Sequence, residues 1–492
     1  MKIINLISGP RKRLNNLNLL MNMNIESKLD SDLNLKKVIK TIKKSKIDTY
    51  LVGGYVRDLF LNRDCKDIDF MTIGDPFELV KKISNENNFS SVRIFKNFGT
   101  ASISNNKYQY EFVRARKESY SRDSRNPSVS EGSFEDDINR RDFTINSMAI
   151  SVNKDYGKLI DNLKGIDDLK NKIIKTCDEP NKTFEDDPLR MMRAIRFATQ
   201  LNFDIEPNTF QAIKDSAERI KIISMERISS ELNKIILSKN PSYGFKLLFT
   251  TNLLNFFFPE MKKLHGVDKI SRHGHKDNFY HTLEVLDNVS RMSDSLWLRW
   301  SAVLHDIAKP LTKRYNEKSG WTFHGHEDLG AKIVPKIFRN LKLPLNEKMK
   351  YVQKLVKLHL RPIALVNNNI TNSALRRLLF EAGEDIQDLM LLCRADITTK
   401  NPEKATKYLR NFDIVEKKME LVEETDKLKN FQPPVSGEEI INIFAIKPSK
   451  VVGILKNEIK EQILDGKIKN NKKEALDLLV NLGKSHGLKP IK

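Results

Sequence analysis

The chain has 492 residues, with 85 Lys and Arg against 64 Asp and Glu and a formal net charge of +21. That length is more than one hydrophobic core sustains, so several domains are expected, and the basic excess points to a polyanionic partner. No run approaches ~20 consecutive apolar residues, which excludes a helical membrane span; Cys65, Cys177 and Cys393 are scattered with no C-x-x-C pair, which fits a reducing cytoplasm.

Residues 1–44 read as a basic leader ending in a helix, with ten Lys and Arg against three acids. The opening MKIINLISGPRKRLNNLNLLMNMN does not read as a signal peptide, because its apolar part is short and precedes the charges. Met21 and Met23 are further candidate starts.

Residues 45–152 read as a compact head of mixed strands and helices. In LVGGYVRDLFLNRDCKDIDF (51–70) an apolar strand stops at Gly53-Gly54, where a bare backbone can approach an anion. The helix expected at Val56–Leu61 carries Arg57 as a counter-charge for a triphosphate. KDIDFMTI alternates with period two, so Asp67 and Asp69 share one strand face while Ile68 and Phe70 turn to the core. YQYEFV repeats the pattern and sets Glu111 on the corresponding face. If the two strands are neighbours, three carboxylates converge and call for cations. Mg2+ prefers oxygen ligands and leaves positions open for water and phosphate, which suits metal-assisted nucleotidyl transfer.

Four later segments complete the pattern. Residues 116–139 lack sustained hydrophobic periodicity and read as a loop. RRDFTINSMA (140–149) is a basic-acidic cluster leading into a strand, FEDDPLRMMRAIRFATQLNF (184–203) a helix carrying Arg190, Arg193 and Arg196 at every third position, and ERISSELNKII (226–236) an amphipathic helix.

In combination and order these motifs resemble the class II tRNA nucleotidyltransferases, that is, the CCA-adding enzymes and their poly(A) polymerase relatives. The resemblance spans about 45–485. It implies that Asp67, Asp69 and Glu111 are the catalytic acids, the two aspartates binding metal, with Gly53, Gly54 and Arg57 beside the nucleotide. Arg140, Arg141, Asp142 and Asn146 would contact phosphate and the ribose 2′-hydroxyl. Asp187 and Arg190, expected one turn apart on one helix, would read the edge of the incoming base, with Arg193 also on the nucleotide. Asp186 stands where the family often has Glu. The segment 116–139 corresponds to the family's flexible loop, and 226–236 to a motif supporting the preceding helix.

A second constellation follows. Eight of the nine histidines lie between residues 265 and 359. His281, the adjacent His305 and Asp306, and the distant Asp396 resemble the HD phosphohydrolase superfamily, and His326 and His359 match the extra ligands of its two-metal members. Neutral imidazoles with carboxylates suit a divalent ion, here Mg2+, Mn2+ or Ni2+.

The expected fold is therefore α+β: a small mixed-sheet nucleotidyltransferase head, then mainly α-helical neck, HD and tail domains. The boundaries read as 1–44 leader, 45–152 head, 153–262 neck, 263–400 HD domain and 401–492 tail. In the tail a charged helix is broken at Pro433-Pro434, two short helices meet at Lys447-Pro448, and IKNNKK (468–473) reads as a solvated loop. The function implied is untemplated addition of C, C and A to tRNA 3′ ends from CTP and ATP with Mg2+ in the head. Alternatives are a poly(A) polymerase, a partial CC- or A-adding enzyme, an HD phosphohydrolase with a vestigial head, and an RNA-binding protein without catalysis. No membrane and no obligate protein partner are expected.

Overall fold

The computed structural model describes residues 24–87, 89, 92–121, 124–270, 273–274, 276–367, 371–399, 401–426 and 433–491. The candidate starts, the first half of the leader and the residues just before Pro433 lie outside them. The chain divides into two compact units, Met1–Pro259 and Glu260–Lys492. A mixed-sheet head is followed by mainly helical structure, and among the described residues no helix is long and apolar enough to cross a membrane.

The head is built on one sheet: β1 (Thr49–Val52), β2 (Asp67–Thr72), β3 (Val92–Phe95), β4 (Thr100–Ser104), β5 (Gln109–Arg114), β8 (Ala149–Ser151) and β9 (Leu159–Ile160), in the order β3-β4-β5-β2-β1-β8-β9. β2 runs parallel to β5, with Ile68 opposite Tyr110, Asp69 opposite Glu111 and Phe70 opposite Phe112. Ile68, Phe70, Tyr110 and Phe112 are all buried, and the Phe70 and Phe112 rings stack at 4.6 Å. The period-two pattern therefore does what it implies: one face of each strand fills the core and the other presents its carboxylates.

The leader read over 1–44 is helical at its end, in two helices rather than one. Helices Ile25–Ser31 and Leu33–Lys43 pack on the head, burying Leu29, Leu35, Val38, Ile39 and Ile42. Thr41 Oγ1 donates to Glu86 Oε2 at 2.6 Å across that contact. Residues 116–139, expected as a loop, instead form an antiparallel ribbon of β6 (Arg116–Ser121) and β7 (Ser124–Glu131), then helix Phe134–Asn139. Ser133 opens that helix with a capping box to Asp136. The ribbon's sequence is polar on both faces and so lacks the alternation that marks a half-buried strand.

In the second unit, helix Asn278–Met292 is capped by Asp277, which accepts from the Phe279 and Tyr280 N–H groups. The long helix Pro402–Asp426 belongs to this bundle rather than to a separate tail: Phe412 and Val415 are buried, and Arg394 reaches Asp413 at 2.8 Å and Glu416 at 2.6 Å. Helices Gly437–Phe444 and Lys450–Leu464 stand where two short helices are expected, and the presumed loop at 468–473 ends in a third, Lys472–Ser485. Gly483 of that helix lies so near Phe444 that a Cβ would sit 2.1 Å from the ring.

Phe112→Ala should open a cavity under the carboxylates and destabilise the head by about 3–5 kcal/mol. Amide hydrogen exchange in β2 and β5 measures this; unchanged protection would show that the stack does not hold the strands together.

Candidate active site and metal centre

β1 delivers the chain into Gly53 with φ +74°, and a Cβ there would lie 3.3 Å from Asp69 Oδ2 and 3.4 Å from an Arg141 nitrogen. Both the backbone angle and the space demand glycine. Gly54 is less constrained, since an added Cβ would make only an ordinary 3.5 Å contact with Arg57. Because Asp69 pairs with Val52 on one side and Glu111 on the other, Asp67, Asp69 and Glu111 share the face next to this turn. Burial, then the neighbouring Glu111 and Asp67 carboxylates, push the Asp69 carboxyl up to about 6 against the pull of Arg141. The three acids share a face without closing into a cage. Among the described residues, the acid and histidine clusters whose ligand atoms all lie within 4.8 Å of one another belong to the second unit.

The same cavity carries a wall of arginines, most of them held by carboxylates. Asp137 binds Arg140 and, at 2.8 Å, Arg141. Glu118 of β6 takes Arg140 at 3.1 Å and Arg116 at 2.8 Å, so the base of the ribbon is tied to the RRD segment. Asp142 pairs with Arg193 at 2.6 Å and accepts from Asn146 Nδ2 at 3.1 Å. Burial alone would raise the Asp142 carboxyl, yet Arg193, Asn146 and Arg190 outweigh it and hold it at about 2. Asn146 Oδ1 in turn accepts from Arg57 at 2.7 Å, and Arg57 forks onto Asp58 at 2.8 and 3.0 Å.

Arg57 is thus a buried strut neutralised by Asp58 rather than an open counter-charge, and both ends of the Asn146 amide are engaged within the protein. Asp187 also departs from expectation: it is not on one helix with Arg190. The first helix ends at Asp186, Asp187 is extended (φ −138°, ψ 97°), and a second helix runs Leu189–Leu201. Pro188 is the cause, since it disfavours helical backbone in the residue before it and has no N–H to donate. The two residues remain close, with the Arg190 N–H donating to the Asp187 carbonyl at 3.0 Å. Arg190 Nη2 donates to the Arg140 carbonyl at 2.7 Å, joining this helix to the RRD segment. Behind it, Glu231 of helix Met225–Ile236 clasps Arg196 at 2.5 Å.

A cavity of about 690 Å³ gathers these groups: Gly53, Gly54, Arg57, Asp67, Asp69, Glu111, Arg140, Arg141, Asp142, Asn146, Asp187, Arg190 and Arg193 all line it. Arg196, the third arginine of that helical stripe, lines it too, as do Asp58, Glu118, Asp137 and Phe197, which were not assigned to the site from sequence. Asp137, four residues before Arg141, carried a readable signal as an ion pair on one helical turn. Glu118 carried none, because its ribbon was not foreseen.

In the second unit five helix termini converge. His281 lies on helix Asn278–Met292, His305 and Asp306 follow helix Leu296–Leu304, and His326 starts helix His326–Asn340. His359 caps Glu347–Leu358, and Asp396 caps Ile386–Ala395. Each imidazole turns Nδ1 to a local oxygen: His281 to Thr398 Oγ1 (3.0 Å), His305 to the Ala302 carbonyl (2.8 Å), and His326 and His359 to the Phe323 and Val356 carbonyls (2.7 Å each). Nε2 is thereby aimed inward, the arrangement that prepares histidine for a metal. Asp306 is central. Its Oδ2 lies 3.4 Å from His281 and 3.3 Å from His305, its Oδ1 3.2 Å from His326 and 3.9 Å from His359. The ligand atoms form two groups, His281–His305–Asp396 and Asp306–His326–His359. His305 Nε2 is buried and makes no hydrogen bond among the described residues. Burial, then the adjacent His305, lowers His359 to about 4, leaving it neutral. This donor set fits divalent ions, and each of the two groups would hold one.

The comparisons with known proteins fall on the same segments. Residues 49–175 match the poly A polymerase head domain, 202–264 a probable RNA and SrmB-binding site of polymerase A, and 278–401 the HD domain. An A-adding tRNA nucleotidyltransferase of Deinococcus radiodurans is 31% identical over 328 residues, 65% of this chain and 73% of that protein. The chain belongs to the tRNA nucleotidyltransferase and poly(A) polymerase family. A CCA-adding enzyme of Lactobacillus helveticus is 38% identical over 218 residues, 44% of this chain, which spans about half of that relative's length (53%). The fold matches that of a Bacillus stearothermophilus CCA-adding enzyme with a TM-score of 0.62 at 22% identity, covering 93% of this chain and 99% of that one. Head and HD domains of this kind use divalent metals.

Because Asp306 belongs to one ligand group and its other oxygen lies 3.3–3.4 Å from the histidines of the second, Asp306→Ala should lose two bound ions per chain in a Ni2+ titration by calorimetry, and His359→Ala one. An unchanged stoichiometry in both would contradict a metal centre here.

Proposed function

We propose that the head adds C, C and A to tRNA 3′ ends, using CTP and ATP without a nucleic-acid template. The observation that carries this reading is that one cavity is lined by Asp67, Asp69 and Glu111, by the arginine wall, and by Asp187 and Arg190. Asp67 and Asp69 would hold Mg2+, with Glu111 beside them. Bound there, Mg2+ would lower the proton affinity of the attacking hydroxyl and neutralise pyrophosphate. Arg140 and Arg141, held in place by Asp137, supply fixed positive charge along the triphosphate. The tRNA 3′ oxygen bonds to the α-phosphorus as the bridge to the β-phosphate breaks, and pyrophosphate leaves. Asp187 accepts from the exocyclic amine of cytosine or adenine while Arg190 donates to the adjacent ring nitrogen, so the protein stands in for a template. The network Asp58–Arg57–Asn146–Asp142–Arg193 keeps this wall in register, and through it Asn146 bears on the sugar side of the site. The net charge of +21 suits the tRNA backbone, and binding should weaken steeply with salt. The free thiols accord with a cytoplasmic enzyme.

A second reading, addition of A alone, is favoured by one observation: the Deinococcus relative is an A-adding enzyme. For the HD unit, the paired ligand groups support hydrolysis of phosphoesters at damaged RNA ends with Mg2+, Mn2+ or Ni2+.

Asp69→Ala should abolish pyrophosphate release while leaving tRNA affinity within about twofold, because the acids face the nucleotide and not the bulk of the RNA. Wild-type-like turnover would remove the metal from this strand. With the Asp69 carboxyl at about 6, protons compete with Mg2+ below that pH, so the half-saturating Mg2+ concentration should climb as pH falls through 6 and level off above 7. A flat profile would mean that Asp69 does not bind the ion.

A further inference from the structure

Phe197 lines the head cavity from helix Leu189–Leu201 and is only 6% exposed. Three guanidinium groups lie over its ring, with Arg196 3.9 Å, Arg57 5.1 Å and Arg193 5.4 Å from the centroid. Arg193 stands one helical turn before the ring, whereas Arg57 comes from helix Gly54–Phe60. Arg196 is the ring's neighbour in sequence, and neighbours on a helix do not ordinarily face each other. It lies over the ring while Glu231 holds it at 2.5 Å. The ring is braced in turn by Phe143, the residue after the RRD segment, edge-on at 5.9 Å and 81°. A hydrogen-bonded chain joins two of these cations by another route. Arg57 donates to Asn146 at 2.7 Å, Asn146 to Asp142 at 3.1 Å, and Asp142 pairs with Arg193 at 2.6 Å. Both ends of that chain sit over the one ring, so Phe197 closes it into a circuit. The crowding is felt at Arg196: burial, against the pull of Glu231, and then the like charge of Arg193 lower its guanidinium from the ordinary value.

We propose that Phe197 is a positioning residue for nucleotide binding: its π-face holds Arg57 and Arg193 together, and through them sets Asn146 and Asp142 toward the sugar of the incoming nucleotide. The inference rests on reading the head as a nucleotide-addition site and adds a residue that acts through others. Crowded guanidinium groups repel. Their carboxylates, Asp58, Asp142 and Glu231, come from three different segments and hold each cation separately. The ring is common to all three. An aromatic face attracts a cation, most strongly where water is excluded. A leucine would fill much of the same space with no such attraction, and three desolvated cations would spread apart. Spreading moves the Asn146 amide and the Asp142 carboxylate. It leaves Asp67, Asp69 and Glu111 in place, because the register of their strands is set by its own buried core. Nucleotide affinity should therefore suffer while the chemical step does not.

The test uses the full-length protein in two altered forms: Phe197→Leu, and a trifluorinated phenylalanine in place of Phe197. Fluorine keeps the shape and apolar character of the ring but drains its π-face, so the attraction for cations is what changes. KM and kcat are measured for ATP and dATP on a tRNA ending in CC, and ATP affinity by calorimetry. Phe197→Leu should raise KM for ATP roughly tenfold with kcat unchanged, and should narrow the preference for ATP over dATP. The trifluorinated ring should fall between this variant and wild type, and it decides alone if the leucine variant does not fold. A wild-type KM with the fluorinated ring would overturn the proposal, because the ring would then be apolar filling only. A fall in kcat at unchanged KM would overturn it as well, being the mark of a smaller folded fraction. If the wild type binds ATP but adds nothing, an affinity graded by the ring upholds the positioning role and dismisses only the addition reading. Absence of ATP binding in the wild type would overturn both.

Discussion

The parallel register of β2 and β5 is the constraint on which the head depends. It sets Asp69 directly opposite Glu111, and it is fixed from beneath by Ile68, Phe70, Tyr110 and Phe112. A slip of one residue would carry the aromatic rings into solvent and the carboxylates into the core, so hydrophobic packing specifies the position of the acids. Burial, and then the like charges of Glu111 and Asp67, drive the Asp69 carboxyl up to about 6. A divalent cation bound there would relieve that repulsion, and Gly53 leaves free the space beside Asp69 and Arg141 that a side chain would fill.

The opposite wall solves the inverse problem. A cleft that must receive a triphosphate needs many guanidinium groups, and guanidinium groups crowded without partners repel and lose hydration. Here Asp137, Glu118, Asp142, Asp58 and Glu231 hold arginines drawn from the helix Gly54–Phe60, the strand ribbon, the RRD segment and the helix Leu189–Leu201, and Arg190 donates to the Arg140 carbonyl. The pairs fix side-chain directions before substrate arrives, so little reorganisation accompanies binding. In the second unit the same economy appears with imidazoles, whose Nδ1 atoms are tied to local oxygens so that Nε2 faces Asp306.

Much of this was legible in the sequence. Strict alternation in KDIDFMTI and YQYEFV set the acids on one face, and the resemblance to the HD superfamily named the six side chains that the fold gathers into two groups. What escaped depended on tertiary pairing or on a single punctuating residue. Pro188 separates Asp187 from the helix of Arg190, which spacing alone cannot reveal. Arg57 looked like a phosphate ligand because nothing in the sequence says that its neighbour Asp58 will take it. The ribbon of β6 and β7 has no apolar face to announce it, and the helix Lys472–Ser485 hides behind an Asn- and Lys-rich run although Asn471 caps it. The helices before residue 44 have the right amphipathic spacing, but only the fold shows that the head is the surface they cover.

Extension of a tRNA ending at its discriminator base, resolved to single nucleotides, tests the central claim most directly. With CTP alone the account predicts a stop after two additions, and with CTP and ATP together a stop after three. Growth with ATP only on a tRNA already ending in CC, and none with CTP, would contradict it and assign the head to A addition. A long ladder with ATP alone would contradict it too, since Asp187 and Arg190 would then read a base without counting positions.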